Sequence, residues 1–218
     1  KVEAGAFGAA KMEEYIAKNN AALQPLAGYP ITEFSAPVGV HPQPEMPRRL
    51  AKLGMSSYYY TGDSGSAANR TFIFGRTVSD QVVAFPIMPF GKAASLYEMA
   101  QERRSQDEVA RWLKSIVDYA VENRTVRLFY SHPHDIWPYA GAFKAFLDYA
   151  QERQAQGRLR VAPMSYFTRN LLRLLKTGYE FKPARGGWDI KISNPESVAG
   201  IAVAIPKTSC RRPRAGTG

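Results

Sequence analysis

Two of the chain's three histidines fall within the stretch Ser131-His132-Pro133-His134-Asp135, which follows the strand-forming run Val126-Arg127-Leu128-Phe129-Tyr130. An imidazole titrates nearest neutrality of all side chains, so a histidine beside a carboxylate suits proton transfer. A carboxylate bound to one ring nitrogen fixes the tautomer and leaves the other nitrogen to act. Strand ends that open into polar loops are where α/β folds keep their chemistry. Plainer roles exist for the same residues. A histidine before proline can bond a backbone carbonyl, and His134 and Asp135 could equally be loop polar groups or a helix cap. Joint metal ligation by His132 and His134 requires that the strand has already ended at His132, and no metal ligand is assigned from the sequence. Elsewhere, His41 sits between Val40 and Pro42 as a surface turn. Asp63 lies in Gly62-Asp63-Ser64-Gly65, an ordinary turn composition, and Ser64 lacks the Gly-x-Ser-x-Gly spacing of a nucleophile elbow.

The elements that must position these residues alternate. Helical spacing predicts a helix over residues 9–26, with Met12, Tyr15, Ile16, Asn19 and Leu23 near one face and Pro25 and Gly28 ending it. A short strand over 31–34, a helix over 45–53, a strand over 55–60 and a strand over 82–86 follow, with a short extended segment over 71–74. Ser105-Gln106-Asp107-Glu108 has the form of a capping box, and the helix it opens carries Val109, Trp112, Leu113, Ile116, Val117 and Ala120 on one face. After the strand at 126–130 comes a helix over 140–153 with Phe143, Phe146, Leu147 and Ala150 on one side. A strand over 159–162 and a helix ending at Lys176 follow. Residues 188–192 and 198–205 then predict an antiparallel hairpin with Trp188 in its core. Five strands alternating with helices imply a mostly parallel α/β sheet. The expected divisions are residues 1–178, a small β appendage at 179–206 and a basic tail at 207–218.

With 218 residues, 45% hydrophobic, the chain suffices for one good-sized domain or a domain with a small appendage. No run of about 18 apolar residues is present, so no spanning helix is expected. The lone Cys210 excludes an intrachain disulfide and a multi-cysteine zinc site. Lys1 as first residue, with no leader-like start, reads as a chain that is processed or cut from something longer. A net charge of +10 is read first as a solvated basic surface, with polyanion binding through the basic C-terminal third as a weaker alternative, because no nucleic-acid motif accompanies it.

The order of features resembles the C-terminal half of a NodB-type polysaccharide deacetylase, a distorted (β/α) barrel, over residues 5–175. Phe34-Ser35-Ala36-Pro37-Val38-Gly39 is similar to that family's third motif, Tyr58-Tyr59-Tyr60-Thr61-Gly62-Asp63 to the strand bearing its fourth-motif aspartate, and Leu128-Phe129-Tyr130-Ser131-His132 to its fifth. Gly157-Arg158-Leu159-Arg160-Val161-Ala162 resembles the closing strand. The family's Thr-Phe-Asp-Asp and His-x-x-x-His motifs are not found, the third-motif arginine is Ser35 and its aromatic is Val38. The resemblance implies a metal-dependent hydrolase that removes N-acetyl groups from a glycan in an extracytoplasmic setting. His132 is then the general acid, with Asp63 or Asp135 orienting it. Pro37, Val38, Tyr130, His134, Asp135 and Trp137 would meet the substrate. A divalent metal, zinc by preference, would serve the intact parent, with ligands not identified here. A missing N-terminal segment or a second copy would cover the open sheet edges. The alternative is a catalytically inactive carbohydrate-binding relative without the metal site.

Overall fold

The computed structural model describes residues 9–35, 45–61 and 67–203, and the chain divides into two compact units, Lys1–Asn170 and Leu171–Gly218. Pro37, Val38, His41, Asp63, Ser64, Cys210 and the basic tail lie outside the described residues.

The first unit is a mixed α/β fold whose described strands do not close a barrel. Its sheet has the order β1-β2-β6-β3. Strands β1 (Glu33–Phe34), β2 (Ser57–Thr61) and β6 (Val83–Ile87) run parallel, with Phe34 beside Tyr58 and Tyr59 beside Phe85. The two-residue β3 (Asn69–Arg70) pairs antiparallel with the start of β6, and β4 (Phe72–Ile73) and β5 (Arg76–Thr77) form a separate small hairpin. All five residues of β6 are buried, as a strand covered on both faces requires. On one face, helices α1 (Ala9–Ala27) and α2 (Met46–Lys52) bring Met12, Ile16, Met46 and Leu50 against Phe34, Tyr58 and Ala84. Tyr58 shares a hydrogen bond with Thr71 inside this layer, and burial raises its pKa although the Thr71 bond opposes the shift.

The second core cluster gathers α3 (Leu96–Gln101), α4 (Gln106–Asn123) and α5 (Ala140–Ala155). Leu96, Met99, Val109, Trp112, Leu113 and Ile116 are buried there with Tyr139 and Ala142. Capping boxes start both α3 and α4: Ser95 accepts from the Glu98 amide and Ser105 from the Glu108 amide, and each glutamate reaches back to the cap amide. Helix α6 (Met164–Leu175) starts at Glu33, whose carboxylate accepts from the Ser165 amide at 2.7 Å.

Several expectations are corrected. The segment 126–130 is extended but makes a single parallel bridge, Leu128 to Ile87, with Met88 N donating to Leu128 O at 3.4 Å. The antiparallel β3 already holds the start of the same β6 edge, so only the end of that edge is left for it. Residues 159–162 join no ladder; the Val161 amide bonds the Gln154 side chain instead. Helix α1 runs through Pro25 and stops at Gly28, whose φ of 73° is left-handed. Tyr15 and Leu23 on α1 and Leu147 on α5 are exposed rather than core.

In the second unit, the hairpin is β7 (Gly178–Ala184) with β8 (Gly187–Ser193). The expected partner at 198–205 forms no strand over its described part. The true register sets Tyr179, Phe181 and Pro183 opposite Ile192, Ile190 and Trp188 on one face, and Glu180 and Lys182 opposite Lys191 and Asp189 on the other. A two-stranded ribbon is a single layer and encloses nothing, so Trp188 is 63% exposed rather than core. Asn194 ends the ribbon, donating to Arg173 O and Thr177 Oγ1 and accepting from the amides of Glu196 and Ser197. No helix among the described residues is long and apolar enough to cross a membrane.

Candidate functional site: a carboxylate shared by two histidines

Proline dictates the local geometry. Pro133 disfavours a helical backbone at the residue before it, and His132 is extended, with φ −85° and ψ 151°. Pro133 itself starts a 3₁₀ turn, Pro133–Tyr139, where its missing N–H costs nothing. The chain therefore changes from extended to turn at His132. That change folds Asp135 back, and its Oδ2 accepts from the His132 amide at 3.3 Å and meets His132 Nδ1 at 2.9 Å. His134 Nε2 lies 3.2 Å from the other oxygen, Oδ1. The two imidazoles stack at 5.3 Å between centroids with 22° between planes. Because the strand has ended, residues two apart meet across a turn.

Burial separates the roles. The Asp135 side chain is 4% exposed, that of His132 53%. A carboxylate taken from water needs donors to remain there, and the His132 ring and amide supply two, with His134 Nε2 at ion-pair distance. The rings keep their outer edges in solvent. Tyr130 closes the far side of His132, with its hydroxyl 2.9 Å from Nε2. The network is satisfied when Nδ1–H donates to Asp135 and Nε2 accepts from the tyrosine hydroxyl.

Tyr130 is in turn held by the sheet. Its ring stacks on Tyr59 at 5.1 Å, and Ser35 Oγ donates to the Tyr59 hydroxyl at 2.9 Å. Strand alternation explains this: Tyr58 faces the α1–α2 core, so Tyr59 faces the opposite side. Ser35 and Tyr130 follow the paired residues of parallel segments, toward the end where open α/β sheets place their ligands, and Tyr59 stands at the centre of β2. Burial above all, then the neighbouring Tyr59 hydroxyl and the negative charges of Asp135 and Glu98, push the Tyr130 hydroxyl up to about 12. It is a neutral donor at every physiological pH. Phe129 points the other way, edge-on to Trp112 at 5.7 Å, and anchors the segment in the second core. Trp137 stands 85% exposed in the 3₁₀ turn.

The structure thus brings together His132, His134, Asp135 and Tyr130 of the expected residues and puts Trp137 on the same turn. Asp135 holds the His132 ring. Pro37, Val38 and Asp63 lie outside the described residues. Sequence reasoning missed Tyr59 as a site residue, although three consecutive tyrosines on one strand cannot all face one core. Nδ1 and Nε2 nitrogens of the two histidines and the Asp135 oxygens supply three ligand atoms within 4.8 Å of one another, a group that could hold a metal ion. Two surface hollows, one lined by Ala21, Gln24 and Tyr29 and a larger one lined by Gln154, Arg158 and Val161, include none of these residues. Neither holds a catalytic pair, so the site is defined by the histidine network rather than by concavity.

Compared with protein-family models, curated proteins and solved structures, the chain has no match.

Proposed function

We propose that this chain is part of a hydrolase that removes N-acetyl groups from a polysaccharide or N-acetylhexosamine glycan, with His132 as general acid. The observation that carries the reading is a half-exposed imidazole at the end of a parallel segment, oriented by a buried carboxylate. Amide hydrolysis needs a proton on the departing nitrogen as the C–N bond breaks, while water adds its oxygen to the acyl carbon. A protonated His132 donates from Nε2 to that nitrogen. Asp135 stabilises the imidazolium and aims it, and recovers the neutral ring after transfer. Tyr130 caps Nε2 between turnovers and yields that position to the leaving group. The exposed indole of Trp137 offers the apolar face on which a pyranose ring stacks.

The resemblance also carries a divalent metal, taken as zinc, which when bound supplies Lewis-acid activation of the attacking water. In that family its ligands lie in the two motifs not found in this chain. His132, His134 and Asp135 have suitable donor atoms, yet an imidazole bound to an ion through Nδ1 no longer becomes the imidazolium that donates. Acid and ligand are therefore alternative states of His132. On the same reading the parallel sheet is a portion of a distorted (β/α) barrel, and the setting is extracytoplasmic.

The absent metal motifs favour a second reading, a carbohydrate-binding relative without turnover. Acetate release from N-acetylglucosamine oligomers separates the two. The first reading expects release that depends on His132; the second expects saturable oligomer binding with none.

A further inference from the structure

We propose that His132, His134 and Asp135 bind one divalent transition-metal ion, and that the bound ion switches His132 from proton donor to ligand. The binding stands on geometry alone; the switch rests on the deacetylase reading above.

The donor set is two imidazole nitrogens and one carboxylate, the chemistry of first-row transition ions rather than of magnesium or calcium, which take oxygen. The three ligand atoms already lie within 4.8 Å of one another. Ligands bonded at about 2.0–2.2 Å to one tetrahedral ion stand roughly 3.3–3.5 Å apart. Asp135 Oδ2 lies 2.9 Å from His132 Nδ1 and Oδ1 lies 3.2 Å from His134 Nε2, so each ring meets its own carboxylate oxygen and a small turn of the exposed rings brings both nitrogens to one ion. An ion takes the place of the ring proton that His132 shares with the carboxylate, and the remaining adjustment falls on the exposed rings. The His132 and His134 side chains are 53% and 78% exposed, which leaves coordination positions for water.

The outer shell is also in place. A metal-bound histidine usually donates its other ring N–H to an oxygen, which fixes ring and tautomer. Tyr130 Oη stands 2.9 Å from His132 Nε2 for this purpose. With metal on Nδ1, Nε2 must carry the proton and the tyrosine oxygen must accept it. That is the opposite tautomer from the metal-free network, in which Nδ1–H donates to Asp135. The two states of His132 exclude each other, so the ion acts as an off-switch on proton donation.

The test uses the full chain carrying Cys210→Ser, stripped of metal and titrated with Co²⁺ and then Zn²⁺. One saturable equivalent is expected, with ligand-field bands for Co²⁺. The ¹⁵N shifts of the His132 ring should exchange their protonated and unprotonated nitrogens on binding. His134→Ala, a change at an exposed ring, should weaken binding by about 10–100-fold or more. Sub-stoichiometric binding, an unaltered His132 tautomer, or unchanged affinity in His134→Ala overturns the site. In an acetate-release assay on the protein not stripped of metal, turnover should fall as added Co²⁺ or Zn²⁺ fills this site. Turnover that rises with occupancy overturns the switch. Absence of turnover at any occupancy contradicts the deacetylase reading and the switch with it, while the binding is judged on the spectra alone.

Discussion

Asp135 does at the scale of single residues what no other side chain in the site does: it is buried and shared. Asp135→Asn keeps its shape but removes the charge that supports an imidazolium. Acetate release should fall by about 10²-fold or more, and urea unfolding should register a loss of about 1–3 kcal/mol from donors left without a full acceptor. Tyr130 gives an independent check. Its hydroxyl ionises near 10 in the unfolded chain and at about 12 in the fold. The folded state therefore holds the proton longer, and the sign is unfavourable at high pH. Stability tied to this group is intact below pH 10 and is lost as pH rises to 12. Absorbance at 295 nm should show a late-ionising fraction, to which Tyr58 and Tyr139 also contribute, that loses one tyrosine in Tyr130→Phe, and the variant's alkaline unfolding should begin at higher pH. His132 and Asp135 were legible in the sequence because their contact is local, three residues across a proline-started turn. Tyr59 was not, because its meeting with Tyr130 depends on which strands lie side by side.

Elements were legible where local signals agree. Ser105-x-x-Glu108 followed by apolar residues at helical spacing gives α4 with its buried face intact. Ser105→Ala should cost about 1 kcal/mol in urea denaturation, the ordinary loss of a helix cap; an unchanged midpoint would show that the box is decorative. The same signature at Ser95-x-x-Glu98 opens α3, whose six residues are too few to show an apolar period of their own. Strands fared worse for a physical reason. A run such as Val126–Tyr130 has β-propensity, but a strand exists only where a neighbour offers a free edge. Here β6 offers that edge at Ile87 alone. The looseness suits function: a segment pinned by Phe129 in the core and Leu128 on the sheet can still adjust its end, where Tyr130 and His132 sit.

Across the whole molecule, alternation of helix and strand correctly foretold a mixed α/β unit with parallel pairs, since each element must bury one face on the next. The C-terminal hairpin was foretold with the wrong partner. Residues 188–192 alternate, but so do 179–183, and cross-strand matching of Phe181 with Ile190 and Glu180 with Lys191 decides between candidate strands. The three tryptophans report the result. Acrylamide should quench Trp137 and Trp188, 85% and 63% exposed, and spare Trp112 at 4%. Trp137→Phe and Trp188→Phe should each remove a quenchable fraction, and a protected Trp188 would mean that the ribbon is covered in solution. The measurement that bears most directly on function is acetate release from N-acetylglucosamine oligomers by the protein and by His132→Ala, with kcat and KM resolved. The predicted result is a kcat lower by about 10²–10⁴-fold with KM little changed, the loss of a proton donor used only in the transition state. Equal kcat in the two proteins would contradict it.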